Sequence, residues 1–384
     1  MKIVSILILW AQILPLSAQN IHQLKLILEA SNQAQATQRQ FYLAGNFNQW
    51  NPKDSSSEFY LQSNKKWVCN LNLRSGNYQF KITKGSWGSV ECFADGSSIQ
   101  NHEINLLKDT TIIIRPEAFS DEVTLKEIQH TLSAQVHILD STFYMPQLHR
   151  YRRIWIYLPK DYQNVARKYP VIYMQDGQNL FDKATSSYGE WGVDEVLDSL
   201  SLKNVAESII VGIDHGGEFR LNEYHPYDND RFGKGQGDAY VDFVVQTLKP
   251  YVDKNFRTLA QAKYTSIVGS SMGGLISMYA IAKYPNVFGN AGVFSPSFWI
   301  APKLYDFVHQ QKNYQLRIYF VAGAHESEDM AGDMEKMYQL LLKDGLPKEN
   351  MKLAIKADGK HSEWFWHREF PDFYKWLVKI YPAE

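Results

Sequence analysis

The chain has 384 residues, 45% hydrophobic and 21% charged, with a formal net charge of −1. That length holds two or three domains, and the composition is that of a folded globular protein rather than a disordered or fibrous one. A charge so near zero supplies no basic surface for nucleic acid and no pull toward an anionic membrane.

Residues 1–18, MKIVSILILWAQILPLSA, place one lysine before an apolar run that ends in small residues. This is the pattern of a signal peptide cut after Ala18, and Pro15 interrupts the run too soon for a membrane span. It predicts a secreted or periplasmic protein with no membrane span after signal removal. The two cysteines, Cys69 and Cys92, lie in the first third of the chain. In an oxidising compartment they are able to pair, and as buried thiols of a β module they would stay free; both readings stand.

Residues 19–119 read as an all-β unit. Strand-like runs at 40–44, 66–73, 78–82 and 110–114 are separated by turn signals at 75–77, 84–86 and 95–97. Trp67, Cys69, Leu71 and Leu73 alternate onto one face. Short strands at this spacing predict a small sandwich. Within it, GNFNQWNP at 45–52 resembles the GxFNxW signature of glycogen-binding and related starch-binding modules, and YQFK at 78–81 and Trp87 fit the same pattern. The resemblance implies an immunoglobulin-like sandwich in which Trp50 and Trp87 stack on the glucose rings of a polysaccharide. Where those modules usually carry DGxW, this chain has TKGSW.

Residues 120–148 form a linker and the first strands of the next domain, which runs from 149 to 384. There, strand-like runs at 154–158, 171–174, 208–213, 265–268, 291–295, 317–321 and 351–355 alternate with helical stretches at 240–252, 275–283, 334–342 and 363–378. Pro250 is expected to break the first of these helices. Alternating β and α predicts an α/β domain, with a mostly parallel central sheet flanked by helices.

The most informative stretch is 264–284, YTSIVGSSMGGLISMYAIAKY. It reads as strand, tight turn and helix, with Ser271 at the centre of G-x-S-x-G. A sharp turn stands the hydroxyl clear of the sheet, and a side chain at Gly269 or Gly273 would crowd strand against helix. The Met272 N–H then lies at a helix N-terminus, where negative charge is favoured.

A serine hydroxyl needs a base, and the base needs an acid to orient it. In this class of fold the order along the chain is Ser, acid, His, each on a loop after a strand. His22, His215 and His225 precede Ser271, His309 precedes a strand, and His325 stands where the acid belongs. His361 follows the last strand and is the predicted base. The loop AHESED after 317–321 offers Glu326, Glu328 and Asp329. Glu326 is the predicted acid, with Asp329 as fallback, since Glu328 and Asp329 adjoin the next helix and suit its dipole. The turn DGQ at 176–178 follows the 171–174 strand, so Gln178 N–H is the predicted second oxyanion donor, its side chain incidental to that role. Trp191, Trp299 and Trp366 fall in loops expected near the site, as an aryl or sugar platform or as cover for the sheet. No cofactor or metal-ligand pattern is present.

YRRIWIYLPKDY, VIYMQDGQNLFD, EWGVDE, GSSMGG, VFSPSFW, AGAHESEDM and GKHSEWFW together resemble the family that contains esterase D, enterochelin esterase and the feruloyl esterases of the carbohydrate esterase type. The resemblance implies an α/β-hydrolase with Ser271 as nucleophile, Glu326 as acid, His361 as base, and Met272 with Gln178 as oxyanion donors. It implies a serine carboxylic-ester hydrolase whose substrate is a small-molecule or glycan-linked ester: a siderophore ester, or an acyl- or feruloyl-decorated glycan. Two other readings are an acyltransferase using the same acyl-enzyme, and a glycan-binding protein with an inert hydrolase domain.

Overall fold

The computed structural model describes residues 20–29, 40–63, 66–123, 130–186, 188–229, 231–311, 315–326 and 329–381; the predicted signal peptide lies outside the described residues. Among them, no helix is long and apolar enough to cross a membrane. The chain divides into two compact units, Met1–Glu127 and Ile128–Glu384.

The first unit is all β. Strands β1 (Ile21–Leu28), β3 (Tyr60–Leu61), β4 (Trp67–Arg74) and β8 (Thr110–Ile114) form a sheet in the order β3-β4-β1-β8. A second sheet joins β2 (Tyr42–Gly45), β5 (Gly76–Thr83) and β7 (His102–Leu106), and a short one pairs β6 (Glu91–Cys92) with β9 (Ala118–Phe119). Alternation explains the layering: Leu24, Leu26 and Leu28 of β1 meet Leu43, Phe80 and Ile82 of the second sheet in one buried core. Cys69 and Cys92 are both buried and both free. Burial, with Asp54 adding to it, pushes the Cys69 thiol up to about 12, which makes it a packing residue rather than a reactive one.

The second unit is an α/β domain. Eight strands, β10 (Val136–Met145), β11 (Arg150–Tyr157), β12 (Val171–Gln175), β13 (Ile209–Ile213), β14 (Thr265–Ser270), β15 (Asn290–Phe294), β16 (Arg317–Gly323) and β17 (Met351–Lys356), lie in the order β10-β11-β13-β12-β14-β15-β16-β17. β10, β11 and β13 pair antiparallel, and from β13 to β17 every pairing is parallel. Successive residues of β12 face opposite cores, Val171 and Tyr173 on one side and Ile172 and Met174 on the other. Both faces are covered by helices, so the inner strands β12, β13, β14 and β15 are buried along their whole length, whereas the edge strand β17 carries Lys352 and Lys356 and is only partly buried. The helices are α1 (Val193–Ser201), α2 (Arg220–Glu223), α3 (Gly237–Phe243), α4 (Lys249–Asn255), α5 (Met272–Lys283), α6 (Lys303–Gln310), α7 (Met330–Lys343) and α8 (Glu363–Val378).

Pro250 does not break its helix. A π turn over Val244–Leu248 links α3 to α4, and Pro250 sits in the first turn of α4. The wider turn takes up the carbonyl that the ring would strike in a regular α-helix, and a first-turn proline forfeits no needed N–H.

Candidate active site

Each side chain of interest hangs from the carboxyl end of a parallel strand. β14 is buried along its whole length, and α5 is apolar on all sides, with Met272 through Ala282 buried. The chain reverses between them at Ser271, which is held at φ 58° and ψ −121°, a conformation L side chains rarely adopt. A Cβ at Gly269 would stand 2.6 Å from the Gly273 carbonyl, so strand and helix meet with no room for a side chain there. At Gly273 the space is less tight, with Gln175 Cβ at 3.1 Å. The Ser271 hydroxyl lies 3.3 Å from that of Ser297, whose N–H donates to the Ser271 carbonyl.

β16 delivers Glu326 and β17 delivers His361. The Glu326 carboxylate is completely buried and lies 2.8 Å from His361 Nδ1, while the imidazole is 36% exposed. A buried carboxylate on Nδ1 keeps the proton there and leaves Nε2 as an acceptor. Glu326 Oε1 also accepts from the Gly323 N–H at 2.6 Å and from the Ser295 hydroxyl at 2.7 Å. Ser295 in turn accepts the Trp366 indole N–H at 2.9 Å, and the Trp366 ring meets His361 edge-on at 5.1 Å. The two loops touch backbone to backbone: a Cβ at Gly323 would fall 2.1 Å from the Gly359 carbonyl. Asp329, the alternative acid, is exposed at the start of α7, and Glu328 lies outside the described residues.

β12 ends in a single 3-10 turn, Gly177–Asn179, preceded by Asp176 in the left-handed region at φ 55°. Met272 heads α5, so its N–H has no intrahelical acceptor. Gln178 N–H likewise finds no acceptor in its own turn. The Gln178 side chain has a part of its own beside the N–H: its Oε1 accepts the His215 N–H at 3.1 Å and ties the turn to the segment after β13.

Sequence reasoning missed Ser295, Ser297 and the bracing by Trp366. Ser295 has φ 41°, a strained position in VFSPSFW that no local pattern announces. The three tryptophans separate by burial. Trp191 and Trp366 are 3% and 5% exposed and belong to the core on one face of the sheet. Trp299 is 46% exposed, on the 3-10 turn Phe298–Ile300 just beyond Ser297. Phe232 packs against it at 5.6 Å, with the Arg231 guanidinium over both rings.

In the N-terminal unit, Trp50 and Trp87 lie with ring centroids 6.3 Å apart and planes tilted by 38°. Trp87 is 41% exposed and Trp50 half-buried. The pair stands outside a polar recess of about 470 Å³ whose lining includes Asn48, Gln49, Asp54, Asn70 and Asn72.

A family model described as "Putative esterase" matches residues 146–377, more than half of the chain. The chain belongs to that family. This esterase is 28% identical over 242 residues to the uncharacterized protein YbbA of Bacillus subtilis (strain 168), covering 59% of this chain and 92% of YbbA. Among solved structures, the enterobactin esterase FES of Shigella flexneri superposes with a TM-score of 0.52 at 17% identity, over 90% of each chain. A ferulic acid esterase matches with a TM-score of 0.52 at 18% identity, over 64% of this chain and 99% of its own. At these identities the structural likeness shows a common fold, an α/β-hydrolase-type domain with a β-rich N-terminal region. Family membership makes the protein a carboxylesterase.

Proposed function

We propose that this carboxylesterase acts by two-step acyl transfer through Ser271, His361 and Glu326, on an ester with an aromatic acyl group of the feruloyl or catecholate-siderophore type. The observation that carries the reading is the buried Glu326 carboxylate on His361 Nδ1; Ser271, held in a strained strand-to-helix turn, ends another parallel strand of the same sheet. Ser271 Oγ attacks the ester carbonyl while His361 Nε2 takes its proton. The Met272 and Gln178 N–H groups hold the oxyanion, each worth about 3 kcal/mol of barrier. The imidazolium, steadied by Glu326, protonates the departing alcohol. Water then enters, loses a proton to His361 and releases the acid. In the resting state the serine hydroxyl rests against Ser297 at 3.3 Å, and the proposed transfer requires it to turn to His361 Nε2 when substrate arrives.

The aromatic preference rests on Trp299 and Phe232, an exposed platform beside the Ser297 turn with a cation over it. Residues 1–18 support export. For the N-terminal unit, the exposed Trp87 beside Trp50 supports polysaccharide binding by stacking, tested by retention on insoluble glucan. Trp50→Ala and Trp87→Ala variants are expected in the unbound fraction, and unchanged retention rejects that role.

The catalytic reading is tested with a chromogenic feruloyl ester, under rapid mixing and then mass spectrometry. The wild type should show a burst and an acyl adduct on the peptide containing Ser271. A Ser271→Ala variant that turns over as fast as wild type would remove Ser271 from the mechanism.

A further inference from the structure

The segment that follows β13 grips the turn after β12 at several points. Arg220 Nε and Nη2 donate to the two carboxylate oxygens of Asp176, at 2.7 Å and 2.9 Å, a bidentate fork. The His215 N–H donates to Gln178 Oε1, and the Asp176 N–H donates to the Tyr224 hydroxyl at 3.3 Å. Asp176 and Gln178 flank Gly177, so residues 215–224 hold the side chains on both sides of this turn, while Thr185 donates its hydroxyl to the Gln178 carbonyl at 2.7 Å. That segment is itself anchored from beneath: Glu223, fully buried, accepts from Arg152 through both oxygens at 2.8 Å and from Arg150 at 2.7 Å.

The Asp176 carboxylate stands in an exacting place. It is 6% exposed, and its Oδ2 lies where a Cβ at Gly273 would come within 3.3 Å, against the first turn of α5. The positive field of that helix end is what a developing oxyanion uses. A bare carboxylate there would claim the same field and repel the charge that forms on the substrate. Glu363, also buried, adds a second acid to the neighbourhood, and Arg220 is the cation that faces both.

We propose that Arg220 is a positioning residue for ester hydrolysis: it holds the Asp176–Gln178 turn so that the Gln178 N–H stays aimed at the oxyanion, and it cancels the Asp176 charge beside α5. The inference rests on the reading of Gln178 and Met272 as oxyanion donors. It distinguishes fork from charge, because lysine supplies the charge without the second hydrogen bond.

The test compares Arg220→Gln, Arg220→Lys, Asp176→Asn and the double variant Arg220→Gln/Asp176→Asn. Each is assayed for kcat and KM on a chromogenic ester and for affinity toward an aryl boronic acid, which mimics the tetrahedral state. Thermal unfolding is followed in parallel. Arg220→Gln is expected to lose roughly 10²-fold in kcat and in boronate affinity, the scale of one lost oxyanion donor, with KM changed by less than about threefold. Arg220→Lys should recover part of the loss. The double variant should exceed Arg220→Gln by about tenfold, since it removes the unpaired carboxylate that the single change leaves buried. A merely structural arginine predicts the opposite, further loss in the double variant. Wild-type kcat in a folded Arg220→Gln, or no recovery in the double variant, overturns the inference. If the wild type turns over no ester, it is the reading of the site that fails.

Discussion

Replacing Glu363 by glutamine converts a buried ionisation into a measurable pH dependence of stability. Glu363 opens α8, is 9% exposed, and receives the Asn179 side-chain amide at 3.4 Å. Burial, with the Asp176 carboxylate nearby, raises its carboxyl from 4.5 to about 7, against opposing pulls from its own backbone N–H and Arg220. At about 1.4 kcal/mol for each pH unit, a rise from 4.5 to about 7 amounts to about 3 kcal/mol. The folded state holds this proton more tightly than the unfolded chain does. Stability is therefore lost as pH climbs past the unfolded value of 4.5, and the whole loss is present above about 7. Glutamine keeps the shape and an acceptor oxygen but has nothing to ionise. Urea unfolding of wild type and Glu363→Gln, followed by tryptophan fluorescence at about pH 5 and about pH 8.5, should show the variant gaining most of about 3 kcal/mol relative to wild type at the higher pH. A stability difference that is flat across that range, or that favours wild type more strongly at high pH, refutes the assigned ionisation.

Glu326→Gln should keep the fold but weaken the imidazolium and its tautomer, with kcat on a chromogenic ester falling by about 10³ to 10⁴ while KM stays near wild type. A loss under tenfold would point to a different acid, with Asp329 the next to substitute. Gly323→Ala would place a Cβ 2.1 Å from the Gly359 carbonyl, so the Glu326 and His361 loops must part. The expected cost is about 2–4 kcal/mol by thermal unfolding, with kcat reduced in whatever folds. Trp299→Ala should raise KM for a feruloyl ester by about tenfold and leave acetyl-ester kinetics unchanged, and equal effects on both esters would reject an aryl platform.

The sequence by itself carried the elements that depend on near neighbours. The strand, turn and helix around Ser271 are legible because glycine at 269, an apolar strand before it and an apolar helix after it answer to contacts within a few residues. The strands that lead into the Glu326 and His361 loops are legible for the same reason, as short strand-forming runs closed by polar loops. The all-β character of the first unit follows from alternation along β4 and β5. The fate of Pro250 was not legible, because the π turn that accommodates it depends on how α3 and α4 pack rather than on the proline.

What only the tertiary structure decided is which distant groups meet. Arg220 reaches Asp176 from 44 residues away, and Trp366 reaches Ser295 across 71. Those pairs exist because β12 lies between β13 and β14, and β15 lies between β14 and β16. Strand order is set by crossovers and by the burial of two apolar faces, neither of which leaves a local trace. The same holds for the tryptophans: Trp191, Trp299 and Trp366 look alike along the chain, and only the closing of α8 over the sheet buries two and leaves Trp299 open beside the site. A side chain's type is a local fact, whereas its exposure and its partner belong to the folded whole.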